Sequence, residues 1–356
     1  MDIKSYNRVL LIIVVFFIVE VIPIKVYLYT ESLRRVKKSG LGKAILHQQK
    51  ALDLVNISYT TKFSKDYDIL HINTYFFRSF ILCLFSKLIG KKIVFHAHST
   101  EEDYKDGFNF SKYTSKLFKW WLVNCYRLGD VLITPTEYSK KLLLSYKGLS
   151  NKKIYSLSNG IDLDFFNLNK SSNNGFRKKY DIKTGEKIII GIGLYIRRKG
   201  IVDFVELAKR FPEYKFIWFG YSPLGVATKD VVDAVNTKLD NLLFAGYVEK
   251  EEIKNALLDC DLFVFPSLEE TEGIPIIEAC ACKTKMIIRD IPVFDGWLEN
   301  GKNVYKAKTI DEFEDKIRKI LNNELPDLTE EAYLVAKERN LKIVGEKLKD
   351  IYLSIK

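Results

Sequence analysis

The chain has little of what marks several large functional classes. Four histidines and five cysteines in 356 residues leave few ligands for a metal. The cysteines (Cys83, Cys125, Cys260, Cys280 and Cys282) are odd in number and lie mostly inside apolar runs. That pattern fits buried thiols in a reducing compartment rather than a disulfide framework. Cys280-Ala281-Cys282 reads as half of a metal site, but no second cysteine pair completes it. Asp162-Leu163-Asp164 falls in a connector, not in a loop suited to a metal clamp. A P-loop is excluded because Ser39-Gly40-Leu41-Gly42 lacks the Gly-x4-Gly-Lys spacing, and Gly191-x-Gly193-x-x-Ile196 lacks the third glycine of a dinucleotide fingerprint. No internal repeat and no low-complexity tract is present.

Long apolar runs are also scarce. Val9–Val19 is an unbroken run of 11 residues, preceded by Lys4 and Arg8 and closed by Glu20 and Pro23. A spanning helix needs about 20 apolar residues. A signal peptide needs a small-residue cleavage site, which Ile18-Val19-Glu20-Val21-Ile22-Pro23 does not offer. Residues 1–23 therefore read as an apolar extension, open to three readings: a membrane-inserted anchor, an interfacial helix, or an upstream start.

What is present is an uneven charge. Residues 1–158 carry 25 Lys/Arg against 12 Asp/Glu, an excess of +13, so the overall +11 lies entirely in the N-terminal half. A basic half beside a neutral one implies an anionic partner on one side. Nucleic acid is disfavoured, because the basic half shows no helix-turn-helix, zinc or RNA-recognition signature. An anionic membrane surface remains. Lys112, Lys116 and Lys119 fall on one face of a helix expected over 110–127, edged by Tyr113, Trp120 and Arg127, with Leu117, Phe118, Trp121 and Cys125 expected to point inward.

Short apolar strands alternate with helical stretches throughout: 24–29, 69–72, 93–96 and 130–135, then 187–191, 215–219, 242–245 and 261–265. Such alternation predicts parallel sheets with helices on both faces, an α/β class. The polar run from Asn159-Gly160-Ile161-Asp162 to Asn174-Gly175 divides the chain. The expected organisation is a domain over 24–158, a connector over 159–180 and a second domain over 181–340, with helices from about Thr329 and Leu341 closing the chain.

Four loops carry the chemistry. Pro266-Ser267-Leu268-Glu269-Glu270-Thr271-Glu272-Gly273-Ile274-Pro275 follows an apolar strand and opens a helix containing Glu278. A helix N-terminus binds anions, and carboxylates accept strong hydrogen bonds from paired sugar hydroxyls. Gly193–Gly200 follows another strand and ends in Arg197-Arg198-Lys199-Gly200, a basic loop where such folds hold anions. Ser39-Gly40-Leu41-Gly42 sits between a strand and a helix, where glycine permits close approach of a ligand. His96-Ala97-His98 ends a strand and is followed by Glu101-Glu102-Asp103.

Glu270 and Glu278 together resemble the Glu-x7-Glu motif of the family 4 (group 1) retaining glycosyltransferases, and Lys199-Gly200 and Asn159-Gly160-Ile161-Asp162 resemble that family's pattern too. The resemblance implies the GT-B fold, two doubly wound Rossmann-like domains facing across a cleft, with the last helix (about 341–356) returning to the first domain. It implies that Glu278 binds the ribose of a nucleotide-sugar with Gly273 and Ile274 beside it, that Glu270 contacts the transferred sugar, and that Lys199 neutralises the departing diphosphate. Leu194 stands where the family has an arginine, so Arg198 or Arg197 is expected to supply that charge. His98 would lie over the sugar ring, with His96 in the core, and Gly40 and Gly42 would approach the donor from the opposite domain. Retention in this family needs no metal and no cofactor, the nucleotide-sugar being a co-substrate.

From Tyr27 to Gly273 the pattern also resembles the bacterial enzymes that extend glycosyl-diacylglycerols. It implies transfer of a hexose, from UDP-glucose or UDP-galactose, to a lipid-linked acceptor at the cytoplasmic face of the membrane. The alternatives are a capsule or exopolysaccharide glycosyltransferase acting on a polyprenyl-linked glycan, and a nucleotide-sugar-binding protein without turnover.

Overall fold

The computed structural model describes residues 24–36, 39–105, 107, 109–167 and 175–356. The apolar run at 9–19 lies outside the described residues, as do residues 168–174 of the expected connector.

Among the described residues the strands form two six-stranded, all-parallel sheets. The first has the order β2-β1-β3-β4-β5-β6, built from β1 (Lys25–Tyr29), β2 (Ser58–Thr60), β3 (Ile69–Ile72), β4 (Lys92–His96), β5 (Val131–Thr134) and β6 (Ile154–Ser156). The second has the order β12-β11-β10-β7-β8-β9, built from β7 (Ile188–Ile192), β8 (Lys215–Phe219), β9 (Leu242–Gly246), β10 (Leu262–Phe265), β11 (Met286–Arg289) and β12 (Tyr305–Ala307). The strands are apolar on both sides because both faces are covered by helices. Ile188, Ile190 and Phe263 pack into one cluster while Ile189, Leu262 and Val264 pack into another. Alternate side chains point to opposite faces of a strand, so each sheet separates two cores.

Each sheet reverses its winding once, between β1 and β3 in the first and between β7 and β10 in the second. Ligands of open parallel sheets bind at such reversals, outside the carboxyl ends of the strands. The loops after β1, β7 and β10 are the glycine-rich, basic and acidic loops singled out in the sequence.

The chain crosses between the two sheets twice, and the crossings touch. Ile161 N donates to Arg339 O at 2.9 Å, and Leu341 N donates to Ile161 O at 3.2 Å. Gly160 has φ +75°, and a Cβ there would stand 2.7 Å from Leu341 Cδ2. The helix α9 (Thr329–Glu338) packs on the second sheet through Ala332, Val335 and Ala336, whereas α10 (Leu341–Leu353) joins the core of the first through Leu341, Val344, Leu348 and Tyr352. Gly345 permits α10 to lie close on α1 (Gly40–Leu54), since a Cβ there would meet Ala51 O at 2.3 Å.

Candidate active site

Two loops of the second domain are held against each other by glycine. Gly200 has φ +73°, and a Cβ on it would lie 2.2 Å from Pro266 O. Only glycine tolerates both the dihedral and the approach. Leu268 N then donates to Arg198 O at 2.7 Å. This contact brings Lys199 and Glu270, 71 residues apart, into a hydrogen-bonded ion pair. Burial pushes the Lys199 pKa down, and the neighbouring Glu270 charge opposes that shift.

Of the two arginines, Arg198 lines the cleft and Arg197 does not. Arg198 Nη1 lies 3.0 Å from Asp103 Oδ1 of the first domain and donates to Glu269 O at 3.2 Å. Arg197 turns away to Asp230, 3.2 Å off. Burial raises the Asp103 pKa, and Arg198 counters it. Burial also lifts Glu269 to about 7, its contact with Tyr138 opposing.

The helix α7 (Ile274–Ala281) starts at Gly273, which has φ +89°, with Pro275 in its first turn and no side chain capping its N-terminus. Free N–H groups at such an end attract anions. Glu278 lies one turn further in, 1% exposed. Its carboxylate accepts two hydrogen bonds from Lys43 Nζ, at 2.8 and 3.0 Å. Lys43 belongs to the first turn of α1, across the cleft. At the head of α1, Ser39 accepts a hydrogen bond from Gly42 N at 3.4 Å. Gly42 is thus spent on the helix cap, while Gly40 reaches the cleft surface.

His98 follows β4 and is part of a buried polar cluster. Its ring stacks on His96, centroids 4.1 Å apart, and its Nε2 is 3.1 Å from Asn73 Oδ1. His96 is buried, with its Nε2 unpartnered among the described residues. Burial pushes His98 and His71 down to about 3 and His96 well below its ordinary value, so all three rings are neutral.

The cleft between the domains holds a cavity of about 450 Å³. Gly40 and His98 line it from the first domain, and Arg198, Lys199, Glu270, Gly273 and Ile274 from the second. Glu278 lies behind this surface, under Lys43. Sequence reasoning gave no role to Lys43, Asp103, Gln48 or Asn73. Lys43 carried one signal, its place in the first turn after Ser39-Gly40. Glu272 was also unassigned. Its Oε2 accepts from Asn159 N at 3.0 Å and Asn159 Nδ2 at 2.7 Å, so it clamps the connector to α7. Among the described residues, no group of three or more His, Cys, Asp or Glu side chains is arranged to hold a metal ion.

On the outer side of the first domain, α2 (Phe77–Leu88) and α3 (Ser111–Tyr126) expose an apolar face. Phe77, Ile81, Leu84 and Leu88 recur at helical spacing on α2, and Tyr113, Leu117 and Trp120 do so on α3, Leu88 and Tyr113 each 85% exposed. Leu117 is 66% exposed, which corrects the expectation that it points inward. The inward side of α3 is set by Phe118, Trp121, Leu122 and Cys125, which leaves Leu117 on the open flank. Lys119 also departs from the basic face expected with Lys112 and Lys116, pairing with Glu101 at 2.9 Å over the Tyr146 ring. Phe118 stacks on Tyr104 at 4.1 Å, and both line the cavity, so one helix touches the outer face and the cleft.

Comparison with known proteins matches residues 27–165 to Glycosyltransferase Family 4 and residues 172–340 to Glycosyl transferases group 1. The chain is 37% identical over 333 residues to the processive diacylglycerol alpha-glucosyltransferase of Acholeplasma laidlawii, covering 93% of this chain and 98% of that one. It is 24% identical to the alpha-galactosylglucosyldiacylglycerol synthase of Streptococcus pneumoniae, over 76% of this chain and 73% of the relative. Among solved structures, Anabaena Alr3699/HepE in complex with UDP-glucose superposes with a TM-score of 0.75, at 15% identity over 93% of this chain and 99% of the other, which is a likeness of fold.

Proposed function

The chain belongs to the family 4, group 1 glycosyltransferases, and from that membership we propose that it transfers a hexose from UDP-glucose or UDP-galactose to a glycosyl-diacylglycerol or diacylglycerol acceptor, with retention and without a metal. The observation that carries the reading is the convergence of Glu270, Lys199, Arg198 and His98 on one interdomain cavity, beside the N-terminus of α7. The relatives named above act on diacylglycerol lipids by their own descriptions, and the similarity to one of them spans nearly both chains.

In this mechanism the donor's diphosphate lies between Lys199, Arg198 and the free N–H groups of α7. The acceptor hydroxyl approaches the anomeric carbon from the side the diphosphate leaves. The bond from that carbon to the phosphate oxygen breaks as the new glycosidic bond forms, and the hydroxyl proton passes to the leaving phosphate. The protein's share is positioning and stabilisation of the departing charge. The neutral His98 ring offers a hydrogen bond to a sugar hydroxyl without adding charge.

The acceptor side is read from α2 and α3. An apolar, aromatic face beside the exposed Lys112 and Lys116 suits the surface of an anionic leaflet, and this reading places the protein peripherally on the cytoplasmic face. Among the described residues no helix is long and apolar enough to cross a membrane.

The test incubates the full chain with radiolabelled UDP-glucose or UDP-galactose and vesicles carrying diacylglycerol or its monoglucoside. Label is expected in the lipid phase and is expected to fall by about 100-fold or more with Glu270→Ala. Binding of UDP without lipid labelling would move the acceptor to a polyprenyl-linked glycan.

A further inference from the structure

We propose that Lys43 is a diphosphate ligand contributed by the first domain, held by Glu278 and passed to the donor's phosphates when the ribose takes Glu278. This deepens the reading above and rests on a nucleoside diphosphate occupying this cleft.

The starting observation is that the carboxylate assigned to the ribose is not open to the cavity. Glu278 is 1% exposed, and the Lys43 ammonium spans both its oxygens at 2.8 and 3.0 Å. Lys43 lines the cavity and Glu278 does not. A pair of ribose hydroxyls can reach this carboxylate only by displacing at least one of the two Lys43 hydrogen bonds. Among the described residues Glu278 is the only hydrogen-bond and ion-pair partner of Lys43 Nζ, so a displaced Lys43 has to find a new one. With its side chain 32% exposed, Lys43 recovers part of that loss from water, and a second anion within reach restores the rest.

The donor itself carries that anion. Lys43 stands in the first turn of α1, and Ser39, Gly40 and Leu41 at the head of that helix line the same cavity as Gly273, Ile274 and Pro275 at the head of α7. Two helix N-termini thus border one cavity, and a diphosphate between them meets positive potential from both. The other cations there already have partners, Lys199 on Glu270 and Arg198 on Asp103. Lys43 differs because its partner is the group the nucleoside occupies. The four-carbon stem and rotatable ammonium of lysine allow the short swing from carboxylate to phosphate.

The consequence is coupling. A nucleoside alone must break the Lys43–Glu278 pair and supplies nothing in return, whereas a nucleoside diphosphate supplies the replacement charge. Lys43 therefore makes the cleft select phosphate and ribose together, and its movement ties donor binding to the contact between the domains.

Equilibrium titrations of the full chain with UDP and with uridine test this, using wild type, Lys43→Met and Lys43→Arg. Lys43→Met is expected to weaken UDP at least tenfold while uridine binds as well as or better than to wild type, so the UDP-to-uridine affinity ratio collapses. Lys43→Arg, which keeps the charge, is expected to retain most of that ratio and controls for folding. An unchanged ratio in Lys43→Met, or equal losses for both ligands, would overturn the proposal by showing that Lys43 only orders Glu278. If wild type bound neither UDP nor uridine, the nucleotide-sugar reading would fall, and this proposal with it.

Discussion

His98 Nε2 donates a hydrogen bond to Asn73 Oδ1 at 3.1 Å, and that contact leaves Nδ1 of the His98 ring as the acceptor. The tautomer is set from behind. Asn73 Nδ2 donates to Gln48 Oε1 at 2.8 Å, and Gln48 Nε2 in turn faces His71 Nε2 at 2.8 Å and His96 Nδ1 at 3.2 Å. An amide nitrogen only donates, so His71 Nε2, the nearer of the two, accepts, and it also lies 3.3 Å from His96 Nδ1. His71 Nδ1 then carries its proton and donates to Tyr352 Oη at 2.6 Å, which ties α10 to the site. Gln48 on α1 therefore connects the returning C-terminal helix to the ring that lines the cleft.

This cluster predicts a one-sided pH dependence of stability. His71 and His98 are held down at about 3 and His96 well below its ordinary value, all chiefly by burial. A histidine whose folded pKa lies below its unfolded value binds fewer protons folded than unfolded once pH drops under about 6.5. Stability is thus undiminished above that value and declines as pH falls toward 3, by up to about 1.4 kcal/mol per pH unit for each such ring. Tm should fall steadily from pH 6.5 to 4.5, while kcat should show no inflection from His98 between pH 6 and 8. A kinetic inflection near 6.5 that disappears in His98→Ala would contradict the neutral assignment.

The outer face of α2 and α3 predicts a membrane contact separable from chemistry. Leu117 and Trp120 are exposed, so replacing them with aspartate removes no core packing. Burying a large apolar side chain is worth about 1.5–3 kcal/mol, so losing two such insertions and adding two negative charges should cut partitioning to anionic vesicles at least 100-fold. UDP binding by Leu117→Asp/Trp120→Asp should match wild type. Vesicle sedimentation at low salt checks the first expectation and titration with UDP the second. Unchanged sedimentation would remove this face from the acceptor side.

Much of the fold and part of the site were legible because they are local. Strand–helix alternation is written in runs of four to six residues, and the loops holding Glu270, Lys199 and His98 each follow directly on a strand. The contacts that join the loops are not local. Lys43 and Glu278 are 235 residues apart, and Asn159 and Glu272 are 113 apart. No spacing rule relates them, since only the packing of α10 on α1 and the paired chain crossings bring the domains to that distance. Leu117 was misplaced for a similar reason. Helical periodicity gives its angle on α3, but which flank is covered depends on neighbours that the sequence does not order.

Three glutamates lie within nine residues, and their surroundings predict three different losses. Glu272 is buried and its Oε2 accepts from both Asn159 nitrogens, so Glu272→Ala leaves both nitrogens of a buried Asn159 without that acceptor. Each stranded buried donor costs about 1–3 kcal/mol, so Tm should drop by several degrees while UDP affinity stays within a few-fold. Glu278 sits on Lys43 behind the cavity surface, so Glu278→Ala should weaken uridine and UDP together. Glu270 faces the cavity with Lys199, so Glu270→Ala should spare UDP affinity and lower kcat by about 100-fold or more, the scale of losing one charge-stabilising group. Measuring Tm, uridine and UDP binding, and turnover on all three variants separates the roles. If Glu272→Ala instead lost turnover at unchanged Tm, the clamp would have to be read as part of the reacting site, and the division of labour among the three carboxylates would fail.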